Sequence, residues 1–159
     1  MKNSNEKNQK PNLNVFSREY LSRSKLSYFL TSPFILMMII PAVFADILAS
    51  IFQAINFTIY EIPKVKRSEY VVVDRHHLKY LNFMEKFYCI YCGYVNGVIQ
   101  YAAAIGARTE EFWCPIKHNR EMKHEHSRYD NYLEYGDSES YHAKRKKIRL
   151  QMKKDLKDK

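Results

Sequence analysis

The chain has 159 residues, 46% of them hydrophobic, a formal net charge of +9 and three cysteines. This length accommodates at most one ordinary domain with appendages. An odd and small number of cysteines excludes a secreted fold built on disulfides, so we expect a reducing compartment, the cytoplasm.

The charge is unevenly distributed and divides the chain into four segments. Residues 1–25 hold six bases and two acids (+4), and residues 142–159 hold nine bases and two acids (+7). Residues 26–60 hold one acid (−1), and residues 61–141 hold eleven bases and twelve acids (−1). We interpret these segments as a disordered basic leader, a membrane-embedded or re-entrant segment, a small helical domain and a basic tail.

The segment 26–60 is mostly apolar and uncharged except for Asp46, and Ser32-Pro33 is typical of a helix start. Three geometries compete: a bent membrane span, a re-entrant or in-plane element bent at Pro41, and a core hairpin of a soluble protein. A span would bury Asp46 near the midplane at a cost of about 2.5–3.5 kcal/mol. A re-entrant or in-plane element avoids that cost.

Beyond the apolar segment, Tyr70–Val73 is β-branched and predicts a short strand or an extended connector. Asp74 is a candidate N-cap for a helix, and apolar residues then recur at steps of three and four from Leu78 to Ile105. Glycines make a break near residues 93–97 plausible.

Three segments follow this long helix. Residues 113–123 are predicted as a second helix, residues 129–141 as an aromatic and polar loop, and residues 142–159 as a basic helical tail.

All three cysteines lie in two short motifs, Cys89-x2-Cys92 and Cys114-x3-His118, separated by 21 residues. Three thiolates and one imidazole form a complete tetrahedral zinc set with no open position. If both pairs lie on helices, each pair shares a face, and two facing helices would close the site. The alternatives are a [2Fe–2S] cluster, a redox-active dithiol at Cys89 and Cys92, and three buried free cysteines.

The cluster Asp74-Arg75-His76-His77 is a second polar site on sequence grounds. Asp74 and His77 are spaced for a carboxylate–histidine pair. The alternative is a helix N-terminus with interfacial histidines.

The basic tail predicts contact with anionic lipid headgroups, because it is short, strongly charged and accompanies an apolar segment. Its aromatics do not alternate with bases, which disfavours nucleic acid. The predicted lipid-contacting residues are Lys144, Arg145, Lys146, Lys147 and Arg149.

Three strings carry a resemblance to a known family: Asp74–Asn82, Tyr91–Gly97, and Ala107–Glu110 continued by Trp113–His118. The chain over roughly residues 28–141 resembles an uncharacterised family of small bacterial membrane-associated proteins. The resemblance implies a bacterial origin and a recurrent architecture, and it carries over no catalytic residue.

Together these patterns predict a mainly α protein with an apolar helix or re-entrant hairpin, followed by a small helical domain closed by Cys89, Cys92, Cys114 and His118. The predicted function is a non-enzymatic, zinc-binding interaction or assembly module. It would lie at the cytoplasmic face of the bacterial inner membrane, with anionic lipids and a protein as partners. The alternative is an iron–sulfur electron-transfer protein at the membrane surface.

Overall fold

The computed structural model describes residues 26–81 and 83–157, and within these ranges the protein is mainly helical and contains no β-strand. The predicted mainly α class is confirmed. The predicted leader, residues 1–25, lies outside the described residues. The α-helices are α1 (Leu26–Met37), α2 (Ile39–Phe52), α3 (Phe83–Trp113) and α4 (Tyr141–Lys157).

Helices α1 and α2 form one long apolar helix with a local interruption at Met38, extended by a π-helical turn, Gln53–Phe57. Pro41 has no N–H to donate to the helical ladder four residues back, which explains the interruption. The ladder resumes at once, since the Ala42 amide donates to the Met38 carbonyl at 3.2 Å. A helical hairpin needs a loop of about 2–5 residues, so the helix, rather than the re-entrant hairpin, is the predicted form that is observed.

The start of this helix was predicted wrongly. Ser32-Pro33 does not begin it, because α1 already runs from Leu26 and contains Pro33.

Contacts divide the described residues into two compact units, those of 26–43 with those of 68–98, and residues 44–67 with 99–157. In the first unit α1 and the start of α2 pack on α3 through Ala42, Tyr91 and Val95. The Tyr91 hydroxyl also donates to the Ile35 carbonyl, close to the interruption at Met38. This hydrogen bond therefore stabilises the apolar helix near the position where Pro41 removes a backbone hydrogen bond.

The connector, residues 61–81, returns to the start of α3 without regular strand structure apart from two 3₁₀ turns. In the first unit it touches α3 at two glycines. A Cβ on Gly97 would lie 2.7 Å from the Tyr70 carbonyl oxygen, and one on Gly93 would lie 3.2 Å from the Val72 oxygen. These glycines allow close approach of the connector. The helix break predicted near residues 93–97 is absent, and α3 is continuous.

In the second unit the connector is fastened to the apolar helix by Gln53. The Gln53 Oε1 accepts from the Val65 amide at 2.7 Å, and its Nε2 donates to the Val65 carbonyl at 3.2 Å and the Tyr101 hydroxyl at 2.7 Å. One buried side chain thus pairs both backbone groups of Val65, as a neighbouring strand would. This satisfies polar groups that would otherwise be costly to bury.

Residues 114–140 are largely irregular, with a single bridge between Ile116 and Leu133 and a 3₁₀ turn at Tyr129–Asn131. The helix predicted for residues 113–123 is therefore wrong, whereas the predicted loop and the helical tail are observed. Pro115 accounts for the error, because a proline one or two residues past a helix end cannot continue it.

Candidate functional site

An extensive apolar face runs along α1, α2 and the π turn. Its members are exposed large hydrophobic residues at steps of three and four, a spacing that places them on one side of a helix. They are Leu30, Phe34, Met37, Ile40, Phe44, Ile47, Ile51 and Ile55. The helix Leu30–Phe57 has 28 residues, is long and apolar enough to cross a membrane, and has few buried residues. Its length is about 42 Å, against about 30 Å for the hydrocarbon core of a bilayer.

From Ala42 to Gln53 the side of this helix that faces the protein is polar or small, and it is flanked by Leu36 and the buried Phe57. Asp46 and Gln53 are only 8% exposed, Ala42 is 7% exposed, and the Ser50 hydroxyl lies 3.3 Å from that of Tyr101. The helix thus buries polar groups and exposes isoleucine and phenylalanine, the reverse of the pattern of a soluble protein. A continuous apolar patch of this size marks a contact with lipid or protein.

Asp46, the one charged residue of the apolar segment, is paired with Arg67 of the connector. The guanidinium donates two hydrogen bonds, Nε to Oδ1 at 2.8 Å and Nη2 to Oδ2 at 2.6 Å. The Asp46 side chain is 11% exposed and that of Arg67 is 45% exposed. This bidentate geometry is the strongest that a carboxylate can have with arginine, and it stabilises a charge otherwise costly among apolar residues.

The predicted metal ligands fall at two separate places along one helix. Cys89 and Cys92 lie one turn apart in α3, whereas Cys114 directly follows α3, with its amide donating to the Glu110 carbonyl at 2.7 Å. Cys92 and Cys114 are 22 positions apart (114 − 92), a rise of about 33 Å along a continuous helix. His118 lies in the irregular segment beyond, with its side chain 58% exposed.

One chain therefore does not bring the two ligand pairs together. Across residues 26–81 and 83–157, no three His, Cys, Asp or Glu side chains are arranged to hold a metal ion. Zinc ligation needs bonds of about 2.0–2.3 Å to all four atoms, which this arrangement does not fit. The alternative [2Fe–2S] cluster would need the same four residues and meets the same obstacle. All three cysteines are free thiols, two of them exposed.

Serine in place of Cys114 is expected to change the free energy of unfolding by less than about 0.5 kcal/mol, because the thiol is exposed at the end of α3. A zinc ion held by all four predicted ligands would instead make this change cost several kcal/mol. Thermal unfolding of the wild type and the variant, each with and without a chelator, separates the two expectations. A chelator-sensitive transition that disappears in the variant would restore the four-ligand site.

The predicted second polar site, Asp74 to His77, forms a 3₁₀ turn rather than the start of α3. Asp74 occupies the N-cap position without a side-chain hydrogen bond, and it contacts His77 only through a backbone bond of 3.1 Å. The rings of His76 and His77 lie 3.9 Å apart, while Asp74 and Arg75 are exposed. The carboxylate–histidine pair is not among the contacts of this turn.

A carboxylate–histidine contact does occur elsewhere, between residues that the sequence did not single out. The Glu110 Oε2 lies 3.1 Å from the His126 Nε2, and its Oε1 lies 4.0 Å from the His118 Nε2. The neighbouring Glu111, only 7% exposed, pairs with Arg128. The only sequence signal was an acidic pair at the end of a helix, followed 16 and 17 positions later by His126 and Arg128.

Tyr132 completes this cluster under the end of α3. Its buried hydroxyl donates to the Ala107 carbonyl at 3.2 Å. Burial raises the pKa of Tyr132, with the nearby carboxylates of Glu110 and Glu111 adding to the rise, so the hydroxyl stays a neutral donor. These contacts tie the segment after α3 back onto the helix, which is a structural role.

The five residues predicted to contact lipid differ in what their side chains contact. Lys144 donates to the Tyr132 carbonyl at 3.2 Å, and Arg149 donates to the Phe112 carbonyl at 3.0 Å, so both serve the fold. Arg145 donates to the Tyr141 hydroxyl at 2.8 Å on its own helix. Lys146 and Lys147 are exposed.

The described part of the chain thus offers an extensive apolar face, a buried ion pair behind it and a basic helix. Its other polar clusters fasten segments of the fold to one another. No protein-family model, characterised protein or solved structure matches the chain.

Proposed function

We propose that the protein is a non-enzymatic interaction or assembly module attached to one leaflet of a membrane by its apolar face. The helix would lie in the plane of the membrane, half immersed, with the connector and α3 on its water side. The resemblance to bacterial membrane-associated proteins and the free thiols favour the cytoplasmic face of a bacterial inner membrane.

The observation that carries the proposal is the reversed polarity of the apolar helix. Phe34 is 73% exposed and Ile40 is 69% exposed, whereas Asp46 and Gln53 are buried. In water this arrangement would leave at least eight large hydrophobic side chains unburied, each worth about 1.5–3 kcal/mol when fully transferred out of water. A lipid surface recovers that free energy, since the polar side of the helix is already paired within the protein.

The path of the connector favours a helix that lies in the membrane surface over one that crosses the membrane. In the second unit Val65 is bonded to Gln53 and Arg67 to Asp46, so the connector runs beside the apolar helix. Asp46 is 16 residues from Leu30 and 11 from Phe57, which is about 24 and 16 Å along the helix. A crossing helix would therefore hold the half-exposed Arg67 deep in the hydrocarbon.

Non-helical backbone at membrane depth is tolerated only where protein or a water-filled cavity shields it. The connector is irregular, and its Lys64, Lys66 and Arg67 are exposed. A single basic residue at the bilayer centre costs about 2.5–3.5 kcal/mol on insertion scales. An in-plane helix avoids this cost because the connector then stays in water.

Zinc is not part of this proposal, because the four predicted ligands lie along the length of α3 and beyond its end. The polar clusters at Glu110 and Glu111 are engaged by His126 and Arg128 in holding the fold. Their engagement supports a module that presents surfaces to partners rather than a reaction centre.

Labelling with a membrane-impermeant maleimide tests the in-plane placement. In a variant whose three native cysteines are serine, single cysteines replace Ile47 on the apolar face or Lys66 on the connector. We expect vesicle-bound protein to be labelled at position 66 and protected at position 47, and to stay with the vesicles in high salt. Protection at both positions would support a crossing helix, and labelling at both would contradict attachment of the apolar face to the membrane.

A further inference from the structure

Helix α4 packs within the second unit in one fixed orientation. Met152 is 3% exposed, and the Lys153 ammonium pairs with Glu61 just beyond the apolar helix. The Arg149 guanidinium lies over the ring of Phe112 at 4.4 Å and that of Trp113 at 5.6 Å. Because these contacts fix the orientation of α4, the basic residues next to Arg149 and Lys153 on the helix surface form a defined set.

These basic residues, with Arg149 and Lys153, line an open cavity of about 270 Å³. Five of its six lining residues are basic or histidine, and they recur at i, i+3, i+4, i+7 and i+11 of the helix. The lining residues are His142, Arg145, Lys146, Arg149, Leu150 and Lys153.

Among the residues that the structure describes, two of the cations around the cavity have no carboxylate partner. Within the described ranges, neither Arg145 nor Lys146 forms an ion pair with a carboxylate, whereas Lys153 pairs with Glu61 and lowers the pKa of that carboxyl. Burial lowers the pKa of Arg149, and the positive charge of Arg145 lowers it further. Like charges gathered around one concave surface favour an anion bound between them.

The aromatic residues beside the cavity indicate where such an anion comes from. Tyr60 directly follows the end of the apolar helix, and its ring lies 5.0 Å from that of Trp113. Tyr60 is 37% exposed and Trp113 is 45% exposed, a partial exposure typical of aromatic residues at the lipid–water interface. The Arg149 guanidinium over Trp113 connects this pair to the cavity, and Leu150 in its wall is 53% exposed.

We propose that this cavity binds the phosphate of an anionic phospholipid headgroup through Arg145 and Lys146. The site rests on the proposed membrane attachment and deepens it, since it would make binding selective for anionic lipid. It also reduces the set of tail residues predicted to contact lipid, because Lys144 and Arg149 form hydrogen bonds within the fold. Tyr60 and Trp113 would mark the same interfacial level.

The test compares two double variants with equal loss of charge. Arg145→Gln with Lys146→Gln removes the cavity cations, and Lys147→Gln with Lys154→Gln removes exposed lysines that do not line it. Affinity of the full chain is measured by flotation with phosphatidylcholine vesicles, with and without phosphatidylglycerol. Circular dichroism verifies that both variants keep their helix content.

We expect the cavity variant to lose about 30-fold in affinity for phosphatidylglycerol vesicles, about fivefold for each hydrogen bond to the phosphate, and to bind neutral vesicles as the wild type does. The control variant should lose less than about threefold, since it keeps the cavity. Equal losses in the two variants would overturn the site in favour of diffuse attraction.

Two further outcomes distinguish a failure of the proposed membrane attachment from a failure of the proposed headgroup site. Failure of the wild type to bind neutral vesicles would count against attachment by the apolar face, independently of the cavity. Inorganic phosphate would overturn the lipid proposal if it bound the wild type without vesicles and released the protein from vesicles to the same extent as it occupied the cavity. The cavity would then be assigned to a soluble phosphate.

Discussion

Alanine in place of Gly97 is expected to destabilise the protein by about 2 kcal/mol, while alanine in place of Gly106 on the same helix should stabilise it by about 0.5–1 kcal/mol. A Cβ on Gly97 would lie 2.7 Å from the Tyr70 oxygen and 2.8 Å from the Val71 Cα, both backbone atoms that cannot rotate away. At Gly106 no atom lies within 4 Å of the added carbon, so only the better helix propensity of alanine remains.

Gly93→Ala gives an intermediate case, because its Cβ would lie 3.2 Å from the Val72 oxygen. Chemical unfolding in detergent, followed by circular dichroism, should therefore rank the variants Gly97, Gly93 and Gly106 from least to most stable. Equal stabilisation by all three alanines would mean that the connector does not pack on α3. The placement of the connector beside the helices would then lose its support in the first unit.

These glycines also show why the sequence predicted the elements better than their arrangement. Hydrophobic periodicity is a local signal, and it correctly indicated an apolar helix, a long helix containing Cys89 and Cys92, and a helical tail. A glycine in a helical pattern has two readings, a break or a close approach of another segment. Only the position of the connector, set by contacts distant in sequence, selects the second.

The separation of the two predicted ligand pairs has the same origin. Ligand spacing is local, whereas bringing Cys92 to Cys114 required α3 to break between them. With α3 continuous, two well-spaced motifs end up about 33 Å apart along the helix. The sequence did identify Asp46 as costly in an apolar segment, yet its partner Arg67, 21 positions away, is set by the path of the connector.

Alanine in place of Arg67 should cost about 2 kcal/mol of unfolding free energy, and more than alanine in place of Asp46. The expected costs of the two substitutions differ because Asp46 is 8% exposed, whereas the Arg67 side chain is 45% exposed and water can hydrate it without its partner. Removing the arginine leaves a buried carboxylate without its bidentate cation. Removing the aspartate leaves a cation at the surface.

The double variant Asp46→Ala with Arg67→Ala should recover much of the loss, since no buried charge then remains. Lys64→Ala is the matched control, an exposed basic residue of the same connector, and should change stability by less than about 0.5 kcal/mol. Unfolding in detergent micelles gives the four free energies. Equal costs for the two single variants, or a double variant no better than Arg67→Ala, would show that the pair is not the contact that fastens the connector. Because that contact sets the depth of Arg67 beside the apolar helix, the in-plane placement would then rest on the labelling result alone.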